Sequence, residues 1–177
     1  WSTIDTFETG WFLNSFDDSG WTNAVFGDSC GAPINECLPY SNPVWHPLSA
    51  TSAYFRKSFT IADINDVIYA KVKTLANDDH TLYLNGNIIH QDAGSDPGKN
   101  LESDISSFLI NGINIFAASA EGFGSCQSFY LEANIDMEIP LGIDSVSIIP
   151  PTCGNDNGSV TITDQLTLGL QFSLDGI

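Results

Sequence analysis

The stretch "ANDDHTLYLNGNIIH", Ala76 to His90, decides the fold. Two apolar runs, Leu82-Tyr83-Leu84 and Ile88-Ile89, flank Asn85-Gly86. A type I′ turn needs φ > 0 at both central residues, and Asn-Gly is the pair that meets this at least cost. A two-residue loop sets Leu84 opposite Asn87, Tyr83 opposite Ile88 and Leu82 opposite Ile89. Opposed residues share a face of the sheet, so Leu82 and Ile89 are expected in the core, with Tyr83 and Ile88 on the other side.

Outward from this hairpin the same pattern recurs. Short β-branched and aromatic runs alternate with Gly, Asn, Asp and Pro turns, and helical periodicity is almost absent. The pattern predicts an all-β fold. The expected strands are "SAYFRKSFTI", "VIYAKVKTLA", "HTLYLNG", "NIIHQ", "NIFAASAEG" and "SFYLEANIDMEI". In "VIYAKVKTLA", Ile68, Ala70, Val72 and Thr74 alternate with Tyr69, Lys71 and Lys73, which gives one apolar and one wet face. "DISSFLINGIN" is read as one helical turn before the strand at Asn114–Ala118. The first 45 residues carry Trp1, Phe7, Trp11, Phe12, Phe16, Trp21, Phe26 and Trp45. Most are expected as core and wrapping contacts, and a subset as a platform on which the apolar face of a sugar stacks.

Composition narrows the partners. The 177 residues hold 22 acidic and 5 basic side chains, a formal net charge of −17. Phosphate binding needs clustered Lys and Arg, so nucleic acid and anionic membrane surfaces are poor partners. After Lys99 there is no basic residue. Such a surface favours solubility and attracts cations, Ca²⁺ included. The apolar runs are too short for a membrane span, so no membrane insertion is expected. The chain starts at Trp1 rather than Met and reads as a segment of a longer precursor. Four cysteines in a chain poor in Lys and rich in Asn, Gly, Ser and Thr suit an extracellular or cell-surface setting. Cys30 and Cys37 bracket the loop "CGAPINEC" and are expected to form a disulfide; Cys126 and Cys153 either pair or stay as thiols. Zinc at Cys30, Cys37 and His46 is the rival reading, without the paired Cys-x-x-Cys or His spacing that usually accompanies it.

Calcium is the one expected cofactor. Asn77, Asp78 and Asp79, with Asp92 and Asp96 from "QDAGSDPGKN", offer a hard-oxygen donor set. The alternative is a solvated turn whose Asx side chains bond the backbone. "GNDNGS" is a second Asx-rich turn and contains the sequon Asn157-Gly158-Ser159. No nucleophile elbow, zincin motif, phosphate loop or dinucleotide fingerprint is present, and His46, His80 and His90 are scattered and expected at the surface or at strand ends. The chain is read as non-catalytic.

Two resemblances follow. "FDDSGW" (Phe16–Trp21), "AYFRKSFTI" (Ala53–Ile61), "ANDDHTLYLNGNII", "DISSFLINGINIFA" (Asp104–Ala117) and "FYLEANI" (Phe129–Ile135) come in the order and spacing of a module that they resemble, the galactose-binding-domain-like jelly roll. That resemblance covers residues 1 to about 138. It implies a β-sandwich with ligand loops at one end, often with a structural calcium, of the kind that accompanies bacterial glycoside hydrolases and surface proteins. From Asp144, "SIIPPTCGNDNGSVTIT" and "FSLDG" resemble the start of the SprB-type immunoglobulin-like repeats of Bacteroidetes surface adhesins. The expected organisation is a jelly-roll β-sandwich over 1–140 followed by an incomplete immunoglobulin-like strand set over 141–177. About 35 residues do not close a core of their own. Val146, Ile148, Val160, Ile162, Phe172 and Leu174 alternate along this tail and need an apolar face to pack on. Three sources are open: a strand set exchanged with another copy, a further domain of the precursor, or the chain's own sandwich. The leading expectation from the tail is a non-catalytic structural or adhesive protein that self-associates into a surface fibre, filament or adhesin. The alternative is a lectin-like, glycan-binding accessory module of a larger secreted protein.

Overall fold

The computed structural model describes residues 1–27, 42–48, 50–92, 101–122, 127–138, 143–149 and 159–164. It divides into two compact units, Trp1–Glu138 and Ile139–Ile177. The first is all β. Its strands are β1 (Ser2–Ile4), β2 (Thr22–Asn23), β3 (Val25–Phe26), β4 (Val44–Trp45), β5 (Ser52–Ile61), β6 (Val67–Ala76), β7 (His80–Leu84), β8 (Asn87–Asp92), β9 (Leu101–Asp104), β10 (Gly112–Glu121) and β11 (Phe129–Met137). Two single 3-10 turns, Ile64–Asp66 and Ser106–Phe108, interrupt them. The second of these turns is the one expected before the β10 strand. Among the described residues no helix is long and apolar enough to cross a membrane.

The strands form two antiparallel sheets. One has the order β2-β1-β5-β10-β7-β8, the other β3-β4-β11-β6-β9. The core between them draws on both: Phe55, Leu82, Leu84, Phe116 and Ala118 from the first sheet, and Trp45, Ala70, Val72 and Phe129 from the second. Phe55 and Phe129 stack at 5.5 Å between ring centroids, and Trp1 meets both edge-on at 6.5 and 6.1 Å. Such aromatic contacts bind the layers beyond the area that they bury.

The Asn85-Gly86 turn has the expected backbone, with φ of 51° and 84°. Its asparagine also has a tertiary role. Asn85 Oδ1 accepts from the Ile115 amide at 3.0 Å, and Asn85 Nδ2 donates to buried Asn114 Oδ1 at 2.7 Å. Asn114 in turn closes the "INGIN" turn by donating to the Ile110 carbonyl at 2.8 Å. The hairpin and the start of β10 are therefore fixed together by amide side chains whose donors and acceptors are satisfied inside the fold.

The register departs from the expected one at a single step. Leu84 pairs with Asn87 and Tyr83 with Ile88, but Leu82 pairs with His90, with the shift falling between Leu82 and Tyr83. Ile89 is the extra residue of a β-bulge. The bulge turns His90 inward. His46, His80 and His90, expected at the surface or at strand ends, are all buried. Burial is tolerated because the rings find partners: Thr74 Oγ1 lies 2.8 Å from His80 Nε2 and 2.7 Å from His90 Nδ1, His90 Nε2 lies 2.9 Å from Ser103 Oγ, and His46 Nδ1 accepts from the Leu48 amide at 3.3 Å. In β6, Ala70, Val72 and Thr74 are buried as the alternation predicts, whereas Ile68 is 68% exposed. The β6–β9 ladder begins only at Lys71, and the β6–β11 ladder is irregular at Asp136/Met137, so Ile68 sits at a frayed end.

Among its described residues the second unit contains an antiparallel pair, β12 (Ile143–Ile149) and β13 (Ser159–Asp164). Its register sets Val146 opposite Ile162 and Ile148 opposite Val160. Phe172, Leu174, Cys30, Cys37, Cys126, Cys153 and Asp96 lie outside the described residues.

Candidate functional site

The outer face of the six-stranded sheet carries a cleft. Its floor follows from strand alternation. Tyr54, Ser119, Thr81 and Gln91 are direct cross-strand neighbours, from β5 through β10 and β7 to β8. These four positions alternate with the core-facing Phe55, Ala118 and Leu82, so they point away from the core. The next row toward the strand ends pairs Ser52 with Glu121. The Glu121 amide donates to the Asp79 carbonyl at 2.8 Å, which brings the start of β7 against the end of β10. Asp92, at the end of β8, pairs with His80.

The wall is supplied by the segment between β1 and β2, which crosses this face. Arg56 anchors it. The guanidinium is buried and donates through Nη1 to the Trp11 and Leu13 carbonyls and through Nη2 to the Phe16 carbonyl at 3.3 Å. Its Nε lies 3.4 Å from Asp18 Oδ2, and its carbon Cζ stands 5.3 Å over the Phe16 ring. One fixed, always-charged fork thus satisfies three backbone carbonyls at once. The segment lays Trp11 against Tyr54 and Tyr83 at 5.0 and 5.5 Å, stacks Phe12 on Tyr83 at 4.8 Å, and sets Phe7 beside Tyr54 at 6.0 Å.

The result is a cleft of about 330 Å³. Phe7, Trp11, Tyr54 and Tyr83 form its aromatic side, Ser52, Thr81, Gln91 and Ser119 its polar floor, and Asp79, Asp92 and Glu121 its acidic end. Phe7 is 62% exposed, Tyr54 and Tyr83 are half-buried, and Trp11 is buried. Burial and the Glu121 carboxylate push the Tyr54 phenol up from its ordinary value of 10.0. His80 borders the cleft at the start of β7, but its ring lies on the core side with Leu82 and Leu84, against Thr74 and Phe129, and its Nδ1 has no hydrogen-bond partner among the described residues. Burial, reinforced by neighbouring His90 and opposed by Asp79, lowers His80 to about 4. Burial lowers His90 as well.

The expected oxygen-donor set is split. Asp79 and Asp92 meet in the cleft, while Asn77 turns back on its surroundings, its amide donating to the Ser128 carbonyl at 3.2 Å and its Nδ2 to Asp78 Oδ2 at 3.3 Å. Among the described residues no group of three His, Cys, Asp or Glu side chains is placed to hold a metal ion. Tyr83 was expected on the face away from the core but not in a site, and Tyr54, Thr81, Gln91, Ser119 and Glu121 were not singled out by sequence reading. The signal was available for Tyr54: in "AYFRKSFTI" it alternates with the core residue Phe55.

No protein-family model matches the sequence, and no curated protein matches it. Solved structures do resemble the fold. One is a β-glucuronidase from glycoside hydrolase family 2, at 14% identity and a TM-score of 0.51, over 77% of this chain and 17% of that one. Another is a glycoside hydrolase family 2 member from Bacteroides cellulosilyticus, at 16% identity and 0.50, over 93% and 23%. A third is the Streptomyces avermitilis α-L-rhamnosidase complexed with L-rhamnose, at 16% identity and 0.50, over 66% and 12%. At such identities the likeness is one of fold: a β-sandwich of the type found as one domain within glycoside hydrolase family 2 enzymes. The chain spans between 12% and 23% of the length of these three chains.

Proposed function

We propose that the first unit is a galactose-binding-like, carbohydrate-binding accessory module of a larger secreted protein, and that the cleft on the six-stranded sheet is its binding site. The observation that carries this reading is the cleft itself. The exposed Phe7 ring and the half-buried Tyr54 ring offer apolar surface for the C–H side of a pyranose, and hydroxyl, amide and carboxylate groups line the same cleft as partners for sugar hydroxyls. The sandwich likeness to domains within glycosidases supports it, because each match covers a small share of an enzyme. The same findings favour this reading over the fibre-forming or adhesive one that the tail suggests, which gains no support from the structural relatives.

In this reading the chain is non-catalytic and works by retaining a neighbouring domain near its glycan. The test is calorimetric titration with a panel of neutral, anionic and amino-sugar oligosaccharides, repeated on Phe7→Ala and Tyr54→Ala. Phe7 is exposed, so its truncation should leave folding intact. At least one glycan should bind, and both variants should weaken it by about tenfold, the scale of one lost aromatic contact. Absence of binding across the panel, or binding indifferent to both variants, would refute the proposal. Release of reducing sugar by this chain alone would overturn the non-catalytic part.

A further inference from the structure

Resting on the carbohydrate-binding reading, we infer that Gln91 is a ligand contact on the floor of the cleft, and that His90, buried in the opposite direction, is the positioning residue that puts it there. The link between them is the β-bulge in β8. A regular hairpin from the Asn85-Gly86 turn would set Ile89 opposite Leu82, His90 opposite Thr81 and Gln91 opposite His80. The observed ladder sets His90 opposite Leu82 and Gln91 opposite Thr81, with Ile89 as the extra residue. Side chains alternate between the two faces of a strand, so the two ladders differ in which residue reaches the cleft. The regular ladder presents His90 and turns Gln91 toward the core. The bulged ladder buries His90 and presents Gln91. Bulges are over-represented beside active sites, where they re-aim a side chain in this way.

Gln91 joins the polar floor as the neighbour of Thr81, with Ser119 next in the row. It is exposed, and its amide makes no hydrogen bond to another described residue. An amide end offers two donors and an acceptor, which suits sugar hydroxyls that each donate and accept.

The choice of ladder is made from the other sheet. His90 Nδ1 lies 2.7 Å from Thr74 Oγ1 in β6, and its Nε2 lies 2.9 Å from Ser103 Oγ in β9, so both ring nitrogens are satisfied at 5% exposure. Ile89 already packs in part against the core. A slip to the regular ladder would complete the burial of Ile89 and strip Thr74 and Ser103 of the His90 ring. The two hydrogen bonds of that ring hold the ladder against the slip. His90 itself touches no ligand and acts only through the register.

The test joins NMR of the full chain, which reads the residue opposite Thr81 from cross-strand backbone contacts, to calorimetric titration with lactose, cellobiose, the glucosamine disaccharide and digalacturonate. Whichever of these binds the unaltered chain is carried through four variants. Gln91→Ala should keep the ladder and weaken binding by about tenfold, the scale of one or two lost hydrogen bonds. In His90→Ser, Ile89 should move opposite Leu82, position 90 should face Thr81, and binding should fall as far as in Gln91→Ala. Deletion of Ile89 alone removes the extra residue but leaves Gln91 opposite Thr81, so binding should stay within about twofold of the unaltered chain. Deletion of Ile89 in the His90→Ser background returns Gln91 to the cleft by count alone and should recover binding, whereas two merely destabilising changes would compound. Unchanged binding in Gln91→Ala overturns the ligand contact. A His90→Ser chain that keeps Gln91 opposite Thr81, or a double variant that folds and binds no better than His90→Ser, overturns the positioning role. Loss of binding on deletion of Ile89 alone, with Gln91 still opposite Thr81, overturns register as the controlling feature. If none of the four saccharides binds the unaltered chain, the carbohydrate reading fails and the ligand contact with it, while the NMR ladder still decides whether His90 sets the register.

Discussion

Lowering the pH from 7.5 to 5.0 should destabilise the first unit through its buried imidazoles. His80 is held at about 4 in the folded state against an ordinary 6.5, chiefly by burial. A base whose folded value is depressed favours the neutral form, so its contribution is complete above pH 6.5. That contribution is lost as pH falls from 6.5 toward 4, because the unfolded chain takes up the proton first. For values of 6.5 and about 4, RT ln[(1 + 10^(6.5−5))/(1 + 10^(4−5))] is about 2 kcal/mol at pH 5, rising to about 3 kcal/mol below pH 4. His90, lowered by burial and bonded to the same Thr74 hydroxyl, adds in the same direction. The exposed carboxylates Asp17, Glu102 and Asp104 are lowered by their hydrogen bonds, so their contribution is present above about pH 4.5 and does not fall within this window. The assay is urea unfolding at pH 7.5, 6.0 and 5.0, followed by tryptophan fluorescence. With a slope of about 2 kcal/mol per molar urea, the midpoint should drop by about 1 M. His80→Gln, which can still bond Thr74, should start less stable and show a flatter pH dependence; any residual slope belongs to His90 and to the Trp1 amine, which burial also lowers. Equal midpoints at pH 7.5 and 5.0, or an undiminished slope in His80→Gln, would refute the reasoning.

Arg56→Leu removes the anchor of the segment between β1 and β2 and should cost about 3 kcal/mol, the scale of lost hydrogen bonds to a buried charge; increased proteolysis near Trp11–Phe16 would report the release, and wild-type protease resistance would contradict it. If calcium is held by Asp79, Asp92 and oxygens beyond them, saturating chelator should lower the melting temperature by several degrees, and an unchanged curve removes calcium as a structural component. Cys30 and Cys37 should resist alkylation before reduction and react after it, and Cys30→Ser should cost about 2.5 kcal/mol, the loop-closure value for so short a ring; alkylation of both without reductant would exclude the bridge.

Local chemistry accounts for what was legible in the sequence. The all-β class, the β6 alternation at Ala70, Val72 and Thr74, the Asn85-Gly86 turn and the short turn before β10 each depend on a few adjacent residues. Their backbone preferences and period-two burial therefore act within one strand or one turn. Asp79 and Asp92 stood out as charged residues, but their sequence neighbours Asn77 and Asp78 suggested an oxygen-donor loop. Only the strand order β10-β7-β8 shows that their companion in the cleft is Glu121, some 30 to 40 positions away. The bulge at Ile89 had no local mark either. It reflects a competition between Ile89 and His90 for the inward position, settled by Thr74 and Ser103 on the opposite sheet, which satisfy the His90 ring where it is buried. Arg56 likewise reads as an ordinary charged strand residue until the preceding segment folds over it and presents three carbonyls. Turn and strand preferences are short-ranged and survive in isolation, whereas which polar groups end up buried together depends on contacts between distant segments that exist only once both sheets are in place.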